Sequence, residues 1–132
     1  MAKLNDVMKG FFGKQLPMVA TVSKDGKPNI GPKRSCRILD DETLIYNENT
    51  GKQTLQNIKD TGLISVALVD WEKLDGYRFS GRAEVYTDGE YYEKCCQYAK
   101  DTKGKAPKAA VVIHIDEIYT LKIGPTAGTR LQ

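Results

Sequence analysis

Residues 47–60, NENTGKQTLQNIKD, combine side chains that bind phosphate with the start of a predicted helix. The start of a helix has unpaired backbone N–H groups and a partial positive charge, so it can hold an anion. A glycine here allows close approach, and Lys52, Gln53 and Thr54 supply a cation and hydrogen-bonding partners. Thr50 and Gln53 also have the T-x-x-Q spacing of a capping box, which is a purely structural role. The sequence therefore predicts a helix cap, an anion site, or both together.

A second basic segment, PKRSCR at residues 32–37, is predicted to lie close to this helix. Lys33, Arg34 and Ser35 fall in a predicted strand, which should pair with the strand that ends at Asn47, just before the helix. The two basic clusters would then converge on one doubly charged anion at the rim of a barrel. The alternative is a cationic edge strand, whose charges deter pairing with other chains.

No side-chain arrangement typical of catalysis accompanies these segments. The single histidine, His114, lies in VVIHID and is expected to point to solvent, and with three cysteines it makes no zinc constellation, so no metal site is predicted. Cys36 has no histidine near it in sequence, so a thiol nucleophile is not expected. Of Cys95 and Cys96, at least one should be buried. Such a chain most naturally takes its reactivity from a phosphorylated cofactor.

Two further features have alternative interpretations. Trp71 follows an apolar strand, where it would stack on a planar ligand, contact another subunit or pack over the end of a barrel. The segment KDTKGKAPK, residues 100–108, is predicted to be a solvated loop, because glycine and proline interrupt it.

Length, charge and hydropathy limit the class of protein. The 132 residues are most simply one domain, 1–132. The net charge is +3, from 20 basic and 17 acidic residues, and a dedicated nucleic-acid binder is usually more basic, so a single-strand-binding barrel is disfavoured. No apolar run approaches the roughly 20 residues of a membrane span, and no secretion signal is visible, so we expect a cytoplasmic protein.

Hydrophobic periodicity predicts a mainly β chain with three helices. The predicted helices cover 3–14, 51–60 and 89–101, the last capped by Asp88. The predicted strands cover 17–24, 28–38, 42–47, 63–70, 76–88 and 108–123. The strand at 63–70 is nearly all apolar and is expected to be covered on both faces. Because no βαβ unit repeats, these six strands suggest an antiparallel barrel or sandwich.

The chain resembles the FMN-binding split barrels of the pyridoxamine 5′-phosphate oxidase-like superfamily, most of all its small single-domain members. The resemblance covers about residues 10–123 and depends on the order of three motifs: DGKP in the first hairpin, K-x-T-x-x-N beginning at Lys52, and the strand GYRFSGRAEV. It implies a mainly β fold, a six-stranded antiparallel split β-barrel with Greek-key connections, assembled as a homodimer.

The resemblance also implies a cofactor and the residues that hold it. FMN would lie in a cleft between subunits, with its ribityl chain and ring beside Lys33, Arg34 and Ser35 and its phosphate at the helix start. The expected cofactor-binding residues are Lys33, Arg34, Ser35, Asn47, Lys52, Gln53, Thr54 and Trp71. Trp71, with Thr129 and Arg130, would approach the flavin of the partner chain.

The function implied is that of a small oxidoreductase or electron carrier, with NAD(P)H or a redox protein as its electron partner. The alternative is a non-catalytic module that binds, stores or senses flavin, haem or F420. True pyridoxamine phosphate oxidase activity is disfavoured, because the substrate-binding residues of that enzyme are not recognisable.

Overall fold

The computed structural model describes residues 2–132, which form seven strands and three helices. In chain order the elements are α1 (Asp6–Lys9), β1 (Met18–Val22), β2 (Pro28–Pro32), β3 (Arg37–Asp40), β4 (Thr43–Glu48), α2 (Gln53–Thr61), β5 (Leu63–Asp70), β6 (Asp75–Tyr86), α3 (Gly89–Asp101) and β7 (Ala109–Thr120).

All the strands belong to one antiparallel sheet with the order β2-β1-β5-β6-β7-β4-β3. The edge strands are β2 and β3, and no ladder joins them within residues 2–132. The sheet curls around its main apolar core, since inward side chains from both halves, such as Val19, Tyr46, Phe79 and Ile113, belong to one buried cluster. The predicted mainly β, antiparallel fold is therefore confirmed.

The strand count differs from the predicted six because the strand predicted at 28–38 is two strands. Pro32 ends β2, where it has no N–H to donate to a ladder. A turn follows, in which the Cys36 N–H donates to the Lys33 carbonyl at 2.9 Å. The chain resumes as β3 at Arg37, on the far edge of the sheet. This turn carries the basic segment away from the ladder.

Strand β5 has the predicted ends, but within the single chain only one of its two faces is covered. Ile64, Val66 and Leu68 are buried, whereas Leu63 and Val69 on the other face are 54% and 45% exposed in the single chain. The apolar run therefore provides one core face and one open face.

The helices and the bend in β6 show how local signals are refined by packing. The opening helix spans only Asp6–Lys9 rather than 3–14, because Asn5 caps its start and Gly10 ends it. The longest helix, α3, begins after Asp88 as predicted and packs Cys95 against the outer side of β4 and β7. Strand β6 has an irregularity at its glycine, where the β6–β7 register shifts between Ser80 and Gly81. None of the helices in residues 2–132 has the length and apolar character needed to cross a bilayer.

Candidate functional site

The predicted convergence of the two basic segments occurs in a cavity beside the start of α2. This cavity, which we call the helix-mouth cavity, has a volume of about 280 Å³. Its walls come from β2, the turn after it, the end of β4 and the start of α2. The lining residues are Asn29, Ile30, Gly31, Pro32, Lys33, Glu48, Thr50, Lys52, Gln53 and Thr54. Lys33, Lys52, Gln53 and Thr54 therefore lie around one space.

The start of α2 has no side-chain cap, so the predicted capping box is wrong. Lys52 is the N-cap residue, and no side chain accepts a hydrogen bond from the first turn. Gln53 instead donates from Nε2 to Asn57 Oδ1 at 2.6 Å. The first backbone N–H groups of a helix have no partner within the helix, so those at the start of α2 are available to an anion.

Side-chain hydrogen bonds fix α2 against the sheet. Asn29 on β2 donates from Nδ2 to Thr54 Oγ1 at 3.0 Å. Asn57, which is buried, donates from Nδ2 to Thr21 Oγ1 on β1 at 3.0 Å. The direction of the helix axis relative to the cavity thus depends on polar contacts as well as on the apolar packing of Ile58.

Glu48 is the important residue of this region that the motifs miss. Its side chain is fully buried, and Lys33 Nζ lies 3.0 Å and 3.1 Å from its two carboxylate oxygens. The backbone N–H groups of Thr50 and Gly51 donate to Glu48 Oε2 at 3.0 Å and 2.9 Å. Glu48 therefore holds Lys33 in place and fixes the turn that leads into α2. The burial of Glu48 was predictable from the alternation of side chains along β4, because Glu48 lies on the same inward face as Leu44 and Tyr46.

A larger cavity lies on the other side of the turn after β2. This α3 cavity has a volume of about 500 Å³ and shares Pro32, Lys33 and Thr50 with the helix-mouth cavity. Its other lining residues are Arg34, Ser35, Asn47, Asn49, Tyr98, Ala99, Thr102, Lys103, Gly104 and Lys105. The predicted residues Arg34, Ser35 and Asn47 thus line the α3 cavity and not the helix-mouth cavity. The shared residues make the two spaces neighbours.

Asn47 and its neighbours join β3, β4 and α3. Asn47 is buried, donates from Nδ2 to the Cys95 carbonyl at 2.8 Å and accepts from Arg37 Nη1 at 3.2 Å. The Asn47 N–H donates to Ser35 Oγ at 2.9 Å. Ser35 therefore contacts the end of β4, although Ser35 itself lies in the turn between β2 and β3. The Arg37 guanidinium stacks on the Tyr98 ring, 3.7 Å from its centre. These contacts form the wall of the α3 cavity; direct binding of a cofactor by Asn47 stays a prediction.

Trp71 lies apart from both cavities. It is 83% exposed in the turn between β5 and β6 and lines neither space. Arg130 and Thr129 are also outside them; Arg130 pairs with Glu117 at 3.1 Å. The predicted contact of these residues with a flavin requires a second chain, and it stays a prediction.

The cysteines and His114 are poorly placed for catalysis. Burial raises the pKa of the Cys36 thiol to about 12, against a smaller opposing effect of Arg37, so the thiol stays protonated near neutral pH. Cys95 is buried, as predicted for one of the pair, and burial raises its pKa as well. His114 faces outward, with Nε2 2.6 Å from Glu84 Oε1 on β6.

The chemistry of the helix-mouth cavity fits a phosphate ester. Its one carboxylate, Glu48, is already bonded to Lys33 and to two backbone N–H groups. The open backbone donors, the exposed Lys52 side chain and the Thr54 hydroxyl then remain as partners for a doubly charged ligand. The phosphate of FMN has this charge, so the residues present fit that cofactor.

Comparison with known proteins assigns the fold to a family. Residues 4–122 match the family model described as pyridoxamine 5′-phosphate oxidase. The structure of HupZ from Group A Streptococcus is 50% identical, with a TM-score of 0.88, over 95% of this chain and 99% of that chain. A candidate pyridoxamine 5′-phosphate oxidase from Lactobacillus delbrueckii is 31% identical, with a TM-score of 0.77, over 89% of this chain and 93% of that chain.

A third structure is more distant in sequence. An FMN-binding protein from Syntrophomonas wolfei is 17% identical, with a TM-score of 0.76, over 89% of this chain and 85% of that chain. At this identity the likeness concerns the fold alone. The match of the family model to residues 4–122 shows that this protein belongs to the pyridoxamine 5′-phosphate oxidase family.

Proposed function

We propose that this protein binds FMN and acts as a small oxidoreductase or electron carrier. The observation that carries the proposal is that Lys33, from the turn after β2, lines one cavity with Lys52 and Thr54, from the uncapped start of α2. Membership of the family, and the FMN-binding protein among the structures of the same fold, support the choice of cofactor. When bound, FMN supplies redox chemistry that the protein side chains lack.

In this proposal each group of residues has a distinct task. Lys52, Thr54 and the backbone of α2 hold the phosphate by charge-assisted hydrogen bonds. Lys33, which Glu48 holds in place, lines both cavities. Arg34 lines only the larger one. The positive charge of Arg34, which forms no ion pair within residues 2–132, favours an anionic ligand that extends from the helix mouth toward α3.

Replacing both Lys52 and Thr54 by alanine should weaken FMN binding by about 2 kcal/mol, or about thirtyfold in Kd, because charge-assisted hydrogen bonds are lost. The measurement is a titration of apoprotein with FMN, followed by flavin fluorescence. Lys59→Ala is the matched control, since it removes a lysine from the same helix without touching the cavity. Equal affinity of the folded double variant and wild type would contradict the assignment.

A second candidate is a non-catalytic module that binds or stores a flavin, haem or F420. It is favoured by one observation, that the only carboxylate lining the helix-mouth cavity is engaged in four contacts and is not free for proton transfer. Anaerobic mixing of the FMN-loaded protein with NADH and with NADPH separates the two functions. Bleaching of the flavin band supports the oxidoreductase, and tight binding without bleaching by any common donor supports the module.

We also propose that a second copy covers the open face of β1, β2 and β5. Ile30 is 67% exposed and Leu63 54% exposed on this face, which also has a shallow cavity of about 570 Å³ lined by Ala20, Val22 and Leu63 among others. Exposed apolar area of this kind is typical of an interface. In this proposal the protein is a homodimer, and contact between Trp71 and the partner's flavin stays a prediction.

The variant Ile30→Glu/Leu63→Glu should be monomeric, because charges would be buried in the interface. Light scattering should give twice the 14.7 kDa chain mass for wild type and the single mass for the variant. Val7→Glu/Ile123→Glu is the control, since both residues are similarly exposed but lie on α1 and in the tail. A wild-type protein of single mass would refute the dimer.

A further inference from the structure

Lys108, the last residue of the segment that was predicted to be a solvated loop, lies beside the start of α2. Its Nζ atom donates to the Thr50 carbonyl oxygen at 3.4 Å, and Thr50 lines the helix-mouth cavity. Lys108 itself is not among the lining residues, so its ammonium group lies at the rim of this space. The fold thus brings a lysine from the entry of β7 to the turn before α2, 58 positions earlier in the chain.

The main chain at Lys108 is held in place on both sides. The Lys108 N–H donates to the Glu48 carbonyl oxygen at 2.8 Å, and the next residue, Ala109, pairs with Glu48 in the β4–β7 ladder. On the other side Pro107 is buried, and its carbonyl oxygen accepts from the Tyr92 hydroxyl at 2.9 Å. The position of Lys108 relative to α2 is therefore set by contacts with β4 and α3, although its side chain is exposed.

The side chain of Lys108 crosses Gly51, where the missing Cβ leaves room for it. A Cβ atom at Gly51 would lie 2.9 Å from Lys108 Cδ and 3.2 Å from Lys108 Nζ, which is too close for the lysine to keep this path. Gly51 also has a positive φ of 66°, a conformation that glycine adopts without strain. The residue that follows is Lys52, the N-cap of α2. The ammonium group of Lys108 therefore lies next to the uncapped helix start.

The fold does not use the charge of Lys108. No ion pair within residues 2–132 involves this lysine, and its hydrogen bond to the Thr50 carbonyl is long and solvent-exposed. Among the residues that line the helix-mouth cavity, Lys33 and Lys52 against Glu48 leave one net positive charge. A phosphate monoester carries a charge of about −1.5 to −2 near neutral pH, so the lining side chains alone do not balance it. Lys108 is a free cation at the rim of the same space.

We propose that Lys108 is a further phosphate-binding residue of the helix-mouth site, and that its ammonium group leaves the Thr50 carbonyl for the phosphate when the ligand binds. This rests on the proposed function, in which the phosphate belongs to FMN. An ammonium group has three donors and forms strong charge-assisted hydrogen bonds with phosphate oxygens. Riboflavin has the same ring system as FMN but no phosphate. Lys108 therefore contributes to the preference for FMN over riboflavin and not to binding of the flavin ring.

The test compares FMN with riboflavin in fluorescence titrations of the apoprotein. Lys108→Gln should weaken FMN binding about tenfold, because a charge-assisted hydrogen bond is lost, and should leave the riboflavin affinity unchanged. Lys108→Arg should keep most of the FMN affinity, since the positive charge is retained. Lys100→Gln is the matched control, because it removes a lysine from the last turn of α3 that lines neither cavity, and it should bind FMN as wild type does.

Two results of these titrations would overturn the proposal. An FMN affinity that is the same in wild type and Lys108→Gln would exclude Lys108 from the phosphate site. An equal loss of FMN and riboflavin affinity in Lys108→Gln would show that the lysine only supports the local structure. In both cases FMN still binds to the wild-type protein, so the proposed function is not affected.

A wild-type protein that takes up no FMN would instead contradict the proposed function, and pyrophosphate then tests Lys108 separately. Calorimetric titration of the apoprotein should show pyrophosphate binding that Lys108→Gln weakens and Lys100→Gln does not. Equal pyrophosphate affinity of wild type and Lys108→Gln, or no binding to wild type, would overturn the role of Lys108 as a phosphate-binding residue.

Discussion

Replacing Glu48 by alanine is expected to lower the free energy of unfolding by about 3–5 kcal/mol, because it leaves an uncompensated charge in a buried place. The side chain of Lys33 is only 11% exposed, and its ammonium group has no other ion-pair partner in residues 2–132. The same substitution removes the acceptor for the Thr50 and Gly51 N–H groups. Urea denaturation of the apoprotein, followed by circular dichroism, measures the loss.

Two comparisons isolate the cause of this effect. Asp116→Ala breaks an ion pair with Arg82 of similar length, 3.0 Å, but the two side chains are 39% and 58% exposed, so the expected loss is below about 1 kcal/mol. Lys33→Met/Glu48→Gln should recover much of the stability lost in Glu48→Ala, because no buried charge remains and the amide oxygen still accepts from the turn. A loss in Glu48→Ala no larger than that in Asp116→Ala would show that the buried pair is not a major source of stability.

The same pair has a consequence for ligand binding. Glu48 lines the helix-mouth cavity, and Lys33 lines both cavities. A free carboxylate beside the proposed phosphate site would repel the ligand, but Lys33 offsets the charge of Glu48 and two backbone N–H groups donate to it. Glu48 therefore acts as a positioning residue, which orders the turn and the lysine while the start of α2 stays open.

The strands were predictable where local pattern and packing agree. The eight residues of β5 begin and end as predicted, because an apolar run bounded by Gly62 and a polar turn leaves little choice of boundary. The prediction of one continuous strand at 28–38 was wrong in the middle of that range. There β2 ends at Pro32, and a turn to Cys36 takes the chain from one edge of the sheet to the other. Hydrophobic periodicity indicates which residues of a strand can be buried, but not which other strand it pairs with.

The candidate site was predictable only in part, because some of its contacts join residues that are distant in sequence. Proximity of Lys33 to the start of α2 follows from chain order, since β4 leads directly into the helix. The role of Glu48 depends on a contact with a lysine 15 positions away, which no local motif encodes. The α3 cavity forms between segments that are about 70 residues apart in sequence, such as those of Lys33 and Lys103. Sequence pattern therefore predicted only a solvated loop for its lysines.

Gly81→Ala should destabilise the protein by about 3 kcal/mol, because a Cβ atom at this position would overlap the main chain of the neighbouring strand. The added atom would lie 1.9 Å from the His114 carbonyl oxygen and 2.9 Å from its carbonyl carbon. These are backbone atoms of β7, at the point where the β6–β7 register shifts between Ser80 and Gly81. The clash cannot be relieved by rotating a side chain, so the two longest strands would have to separate.

Gly31→Ala is the matched control, since it makes the same chemical change in another strand of the sheet. No heavy atom outside its chain neighbours lies within 4 Å of the Cβ position at Gly31, and its φ is not positive. Its stability should change by no more than about 1 kcal/mol, in either direction. Thermal unfolding of the two apoproteins gives the comparison, and equal melting temperatures would mean that the bulge adapts to a side chain. A large difference instead would establish that the close approach of the strands requires glycine at 81, and that the register shift between Ser80 and Gly81 depends on the space that a missing Cβ leaves.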